Sequence, residues 1–362
     1  MPNNRIFISA GDLSGEIHAA NLIREIKKIA PSCFIESAGG DNLKSVSDSF
    51  IEDIVNINAF GFFVVNQIFF LKKVLKKIEN SFKENKPDKV ILVDYYGFNI
   101  FVGRLAKKFN IPVYYYVSPQ VWASRAGRIK KLKEVVRKMF VIFPFEEKLY
   151  KDNGVDAVFV GNPLIDKISA KDNFEISNPP VVGLFPGSRK SVVKKHIPIL
   201  LETAKILREK LNANFIIFSA GKNFEFSNKV LPDYIQLVSD NNQEKRKSVN
   251  IAVCPSGTVS LENALFGIPM VVMYKLAYFN YFIMRLIAKV KYITIVNILA
   301  NKEIVPEFIQ HAARAENIAN AVIEQLNPNN YRQKVSELLS FRQALGAPGV
   351  SKRTAELIAT DK

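Results

Sequence analysis

One tryptophan, two cysteines and three histidines are all that 362 residues hold of these types. Cys33 and Cys254 lie far apart in separate apolar runs, which predicts two buried free thiols and gives no reason to invoke an oxidising compartment. His18, His196 and His311 lack metal-ligand spacing, and there is no D-x-D, so neither a structural zinc nor a metal-held nucleotide sugar is expected. G-x-G-x-x-G, P-loop and G-x-S-x-G patterns are missing too. The longest greasy stretch, Ala59 to Leu71, is broken by Asn66 and Gln67 and falls short of the roughly 20 apolar residues that a bilayer span needs. Met-Pro-Asn-Asn-Arg runs straight into Ile6-Phe7-Ile8, and we expect no signal peptide. Repeats and low-complexity segments are also lacking.

What is present is globular: 48% hydrophobic and 23% charged residues, in a length that suits two domains. Fifty basic residues against thirty-four acidic ones leave +16, which points to an anionic partner: nucleic acid, phosphate-bearing substrate or membrane surface. The 27 phenylalanines must enter a core or a greasy surface.

Short apolar runs alternate with amphipathic stretches. The runs are 5–10, 33–37, 89–94, 112–117, 138–143, 157–160, 181–185, 215–219, 251–254 and 269–274, and they read as buried parallel strands. Helical periodicity covers 17–29, 100–109, 193–211 and 261–266, with terminal helices over 316–361 interrupted at Gly346–Gly349. This alternation predicts a doubly wound α/β fold. Polar residues 166–180, closing on Asn178-Pro179-Pro180, divide it into two α/β units with a cleft expected between them. In such sheets ligands bind beyond the carboxyl ends of the strands, so the loops there carry the chemistry.

Gly11-Asp12-Leu13-Ser14-Gly15-Glu16 follows the first strand and opens a helix; it reads equally as an anion-binding turn or as a plain turn with capping acids. Asp94 ends the run Val90–Val93, placed either as a general base or as a helix cap. Pro186-Gly187-Ser188-Arg189 suits a pyrophosphate or an ordinary turn. Ser256-Gly257-Thr258 offers hydroxyl and N–H donors at a helix start, with Glu262 one turn on for ribose hydroxyls; the bland alternative is a capping box built on Thr258. Residues 297–310 read as a loop whose amides and acids suit a sugar or nucleotide.

In this order the motifs resemble those of the lipid-A-disaccharide synthase family, inverting glycosyltransferases of GT-B type. The likeness spans nearly the whole chain. It is most specific at Ser118-Pro119-Gln120-Val121-Trp122-Ala123, Phe143-Pro144-Phe145-Glu146, Pro186–Arg189, Ser256–Thr258 with Leu261-Glu262, Val305-Pro306-Glu307 with Gln310, and Gly349–Ala355. The chain departs from the family's usual pattern by exchanging acid types at Asp12 and Glu16, and by Gly97 where many members carry an acid. It also has Asn162 for a usual His, and Val192 for an acid.

The resemblance implies transfer of 2,3-diacylglucosamine from its UDP derivative to the 6-hydroxyl of 2,3-diacylglucosamine 1-phosphate, forming a β(1→6) disaccharide 1-phosphate and UDP, with no metal or cofactor. It implies two Rossmann-like domains. Residues 1–165, with helix 346–362 packed back on them, would take the acceptor and face the membrane; 180–340 would take the UDP-sugar. Asp94 or Asp12 would act as base, with Ser14, Gly15 and Glu16 on the substrate. Arg189, Ser256, Gly257 and Thr258 would hold the diphosphate, Glu262 the ribose, and Asn297, Glu307 and Gln310 the donor. The greasy segment, followed by Lys72, Lys73, Lys76 and Lys77, reads either as a core helix or as an interfacial one. Acylated substrates favour the second. Phe62, Phe63, Val64, Phe69 and Phe70 are then expected to face lipid, in a peripheral protein on the cytoplasmic face of the inner membrane. Monomer and homodimer stay open. The rivals are a related GT-B UDP-GlcNAc transferase or UDP-sugar epimerase, separable by acyl-chain dependence, and a basic nucleic-acid-binding protein, for which no recognition motif is found.

Overall fold

The continuous apolar runs become parallel strands covered by helices on both faces, as their lack of alternation requires. The computed structural model describes residues 4–55, 64–124, 127–219, 231–275 and 291–361, with backbone alone for 64–66, 123 and 124. The chain forms two units, Met1–Asp166 with Leu345–Lys362, and Lys167–Ala344.

The first unit runs β1 (Arg5–Ala10), α1 (Leu13–Ile29), β2 (Phe34–Gly39), α2 (Asp41–Lys44), β3 (Ser49–Asp53), α3 (Val64–Glu84), β4 (Lys89–Val93) and α4 (Tyr96–Lys108). It continues through β5 (Val113–Tyr116), α5 (Val121–Ser124), α6 (Arg128–Val135), β6 (Lys138–Val141), α7 (Pro144–Asp152) and β7 (Ala157–Phe159). Its sheet has the order β3-β2-β1-β4-β5-β6-β7, all parallel. The second unit runs β8 (Val181–Leu184), α8 (Lys190–Leu211), β9 (Asn214–Ser219), β10 (Ile235–Ser239), α9 (Gln243–Lys247), β11 (Ile251–Cys254) and α10 (Thr258–Phe266). After these come β12 (Met270–Tyr274), α11 (Ile295–Ala300), β13 (Glu307–Ile309), α12 (Ala315–Gln325) and α13 (Pro328–Ala344). Its parallel sheet has the order β10-β9-β8-β11-β12-β13.

Each winding reverses once. In the first unit the chain moves outward from β1 to β3, then crosses back to place β4 on the other side of β1; β8 and β11 repeat this in the second. The crevice beside such a reversal is where open α/β sheets bind ligands.

Three strands lie outside the apolar runs. β3, β10 and β13 are all edge strands, half-exposed, so they carry no continuous greasy run. The expected loop at 297–310 is corrected likewise: it holds part of α11 and all of β13. The last helix, α14 (Val350–Thr360), belongs to the first unit. Ala355 and Ile358 join the core formed by Ile23 and Ile26 of α1. Asp166 caps its start by accepting from Gly349 N at 2.6 Å, and Asp361 at its end accepts from Tyr114 Oη at 2.8 Å and Arg137 Nε at 2.9 Å. No helix among the described residues is long and apolar enough to cross a membrane.

Candidate active site

Both reversals carry the residues singled out by their motifs. In the first unit, the turn after β1 meets the turn after β4. Asp12 is the N-cap of α1 and accepts from Gly15 N at 2.8 Å, so its carboxylate occupies the helix start that an anion would otherwise take. Neither Gly11 nor Gly15 has positive φ; both serve close approach instead. A Cβ on Gly11 would stand 2.0 Å from the Tyr95 ring, and one on Gly15 would stand 2.4 Å from Asp12 Oδ1 and 3.6 Å from Asp94 Cβ. Asp12 and Asp94 therefore flank one glycine.

Asp94 and Tyr95 both have left-handed backbones, φ 44° and 40°. Such strain persists only where the surroundings over-determine it. Here Asn99 Nδ2 donates to Val93 O and Asp94 O at 3.0 Å each, Tyr115 Oη donates to Asp94 O, and Ser9 Oγ holds Asn99 Oδ1 at 2.8 Å. Burial, then the neighbouring Asp12 charge, push the Asp94 carboxyl up to about 7; burial also raises Asp12. Ser14 is exposed, with Oγ 3.5 Å from His18 Nε2. Glu16 is buried, and its Oε1 accepts from Asn42 Nδ2 at 2.7 Å.

In the second unit the turns after β8 and β11 border an open cavity of about 220 Å³, lined by Ser188, Arg189, Ser256, Thr258, Asp240 and Tyr274 among others. Gly257 (φ 149°) precedes α10 with open space where a side chain would be. The alternative of a capping box built on Thr258 does not hold: Gly257 is the N-cap, and Ser260 Oγ donates to its carbonyl at 2.7 Å and accepts from its N–H at 3.3 Å. Arg189 is exposed at the N-cap of α8. Ser256 Oγ donates to Ile293 O at 2.6 Å.

Glu262 is paired, its Oε2 2.6 Å from Arg246, whose buried guanidinium lies over Phe185 at 5.0 Å and Phe218 at 5.7 Å. Asn297 is spent on the fold: its amide donates to Val305 O and Glu307 Oε1, and its carbonyl accepts from Ile304 and Val305 N. Glu307 accepts in turn from Ile293 N at 2.8 Å and from Thr294 N and Oγ1. Asn297 and Glu307 thus both brace the 293–305 segment. Gln310 is buried with φ 55°.

A family model described as lipid-A-disaccharide synthetase matches residues 6–359. The chain belongs to the lipid-A-disaccharide synthetase family. It is similar to a lipid-A-disaccharide synthase of Syntrophus aciditrophicus, 35% identical over 99% of this chain and 98% of that one, and to lipid-A-disaccharide synthase 1 of Legionella pneumophila strain Lens, 34% identical over 100% and 98%. Among solved structures it resembles a kitacinnamycin glycosyltransferase (TM-score 0.67, 15% identity, 99% of both chains) and MurG of Acinetobacter baumannii (0.65, 15%, 99% and 100%). At that identity the likeness concerns the fold, two Rossmann-like domains of GT-B class.

Motif reading passed over further residues at these turns. His196 is fully buried on α8; Nδ1 donates to Pro186 O at 3.1 Å and Nε2 accepts from Lys275 N at 3.1 Å, tying the turn after β8 to the residue after β12. Burial lowers it to about 4, so it is neutral. Asp240 lines the cavity, and Asn99 and Tyr115 grip Asp94. Only the helical i+3 position of His196 within α8 hinted at an inward face. Of the lipid-facing set, Phe62 and Phe63 lie outside the described residues, and Val64 is described by backbone alone. Phe69 is 67% exposed, beside Ile68 at 50%. Phe70 is corrected: one residue on, the helix turns it against the core. Phe101 on α4 is a further exposed aromatic, at 49%.

Proposed function

We propose that this chain catalyses its family's reaction, transferring 2,3-diacylglucosamine from the UDP derivative to the 6-hydroxyl of 2,3-diacylglucosamine 1-phosphate, with release of UDP. The observation that carries the reading is the family match over 6–359, whose motifs fall at the two reversals. MurG and the epimerases share this fold at 12–15% identity, whereas the synthases share sequence along the whole chain.

In this reading the first unit takes the acceptor and Asp94 removes its 6-hydroxyl proton. A carboxylate near pH 7 is matched to that task, and Asp12 keeps it basic. Ser14, Gly15 and Glu16 shape the same turn. The second unit takes the donor: Arg189, Ser256, Gly257 and Thr258 carry the charge that develops on UDP, at a helix start. Glu262, held by Arg246, faces the ribose; Asn297 and Glu307 position the 293–305 segment; Gln310 closes the donor side. No cofactor is invoked. The acylated substrates are reached by docking: α3 offers Ile68 and Phe69, with exposed Lys72, Lys73 and Lys76 behind them, to an anionic surface on the cytoplasmic face of the inner membrane. A homodimer is compatible with this docking.

Mass spectrometry of products from UDP-2,3-diacylglucosamine plus 2,3-diacylglucosamine 1-phosphate tests the reading. A disaccharide 1-phosphate with four acyl chains is expected. Consumption of unacylated UDP-GlcNAc in preference would overturn it.

A further inference from the structure

Glu146 stands in the first turn of α7 and is completely inaccessible to solvent. Its Oε1 accepts from Ser118 Oγ at 2.8 Å and from Trp122 Nε1 at 3.1 Å, and its Oε2 from Phe143 N at 3.2 Å. One carboxylate thus ties the segment after β5 to the turn after β6, at the sheet edge where Asp94 ends β4. Phe145 meets Trp122 edge-on at 5.4 Å, and Tyr150 Oη donates to Pro119 O at 3.3 Å, closing the same contact. No cation among the described residues pairs with Glu146. A buried carboxylate served by neutral donors alone is costly to retain, so its place needs a reason.

The neighbouring backbone supplies one. Val117 has φ 59°, an outlier for a β-branched residue, and such a conformation must be held by its surroundings. Val117 N donates to Phe140 O on one side, and Glu146 grips Ser118 on the other. The residues just before it contact the proposed base: Asp94 N donates to Tyr116 O at 3.2 Å, and Tyr115 Oη donates to Asp94 O.

We propose that Glu146 is a positioning residue for the acceptor half of the reaction, holding the end of β5 in the strained form that sets Asp94. This rests on the reading of Asp94 as base given above. The titratable group facing Glu146 is Tyr150 of its own helix, raised by burial and by the Glu146 charge; the segment after β5 and the turn after β6 present Ser118, Trp122 and the Ile142 and Phe143 main chain. Burial pushes Glu146 up to about 7, so the tie loses its charge close to neutral pH.

Trp122 is the sole tryptophan, so intrinsic fluorescence reports on this contact directly. Emission of the full-length protein should titrate with a midpoint near 7, and Glu146→Gln should abolish that titration. At pH 8, Glu146→Gln should lower kcat/KM for the acceptor about 10–100-fold while leaving KM for the UDP-sugar unchanged. Ser118→Ala, which removes one donor, should lower the same parameter less and guards against a misfolded Gln variant. A pH-independent emission, or a rise in KM for the UDP-sugar as large as that for the acceptor, would overturn the proposal. Failure of the wild type to turn over acylated sugars would overturn the reaction instead, and the fluorescence titration would still decide the tie.

Discussion

At the scale of single residues, one carboxylate concentrates what is unusual in the first unit. Asp94 is strained in its backbone, gripped by Asn99 and Tyr115 through its carbonyl, and raised to about 7 by burial and Asp12. A raised acid favours folding below its unfolded value near 3.8, and that contribution is lost as pH rises to 7. Asp94→Asn should therefore cut turnover about 10²–10⁴-fold, yet raise the unfolding temperature at pH 8 and not at pH 4. A variant that is both active and no more stable at pH 8 sinks the assignment. Gly97 tests the chain's departure from its family, since a Cβ there meets nothing within 4 Å. Gly97→Asp should fold and gain about 1 kcal/mol, from helix propensity and the α4 N-terminus. Its charge should move the acid limb of the pH–rate profile upward. In the second unit Arg189→Ala should remove a charge-assisted contact of about 1.5–3 kcal/mol, one to two decades in kcat/KM for the UDP-sugar. The positions of Asp94, Asp12 and Arg189, each in a turn that follows a strand, were legible in the sequence. The backbone partners of Asn297 and Glu307 were not legible, because composition cannot tell which neighbouring main chain a polar group will meet.

At the scale of elements, α3 shows what period alone leaves undecided. A greasy stretch beside lysines fits a core helix and an interfacial one alike; the helix turns Val74 and Ile78 inward and leaves Ile68 and Phe69 exposed. Phe69→Ser with Ile68→Ser should weaken binding to anionic vesicles about tenfold per residue, with stability unchanged within about 0.5 kcal/mol. Phe70→Ser should instead cost about 1–3 kcal/mol in a urea titration and leave vesicle binding intact. The reverse pattern would mean that α3 lies the other way round. The edge strands β3, β10 and β13 escaped the apolar-run criterion for a related reason, since half-exposure dilutes the greasy signal that central strands carry.

For the molecule as a whole, the returning α14 is the structural dependence that the linear order conceals. Ala355 and Ile358 cover Cys33 and Ile26 across the chain's full length, and Asp361 ties down Tyr114, Arg137 and Lys138. Ending the chain at Pro348 should lower the first unit's unfolding temperature by several degrees and make Cys33 react with a thiol reagent, while Cys254 stays protected. Unchanged reactivity at Cys33 would show that α14 is dispensable. Local patterning was enough to establish the strand–helix alternation, because burial on both faces leaves a continuous apolar run wherever a central strand occurs. Tertiary structure alone decided which turns meet. Sheet order sets Asp12 against Asp94, and packing turns Phe70 inward while Phe69 faces out. Geometry likewise spends Asn297 and Glu307 on the backbone and hides Glu146 behind Trp122. A side chain's partner is fixed by strand order and loop approach, and neither is encoded in the periodicity of the segment that carries it.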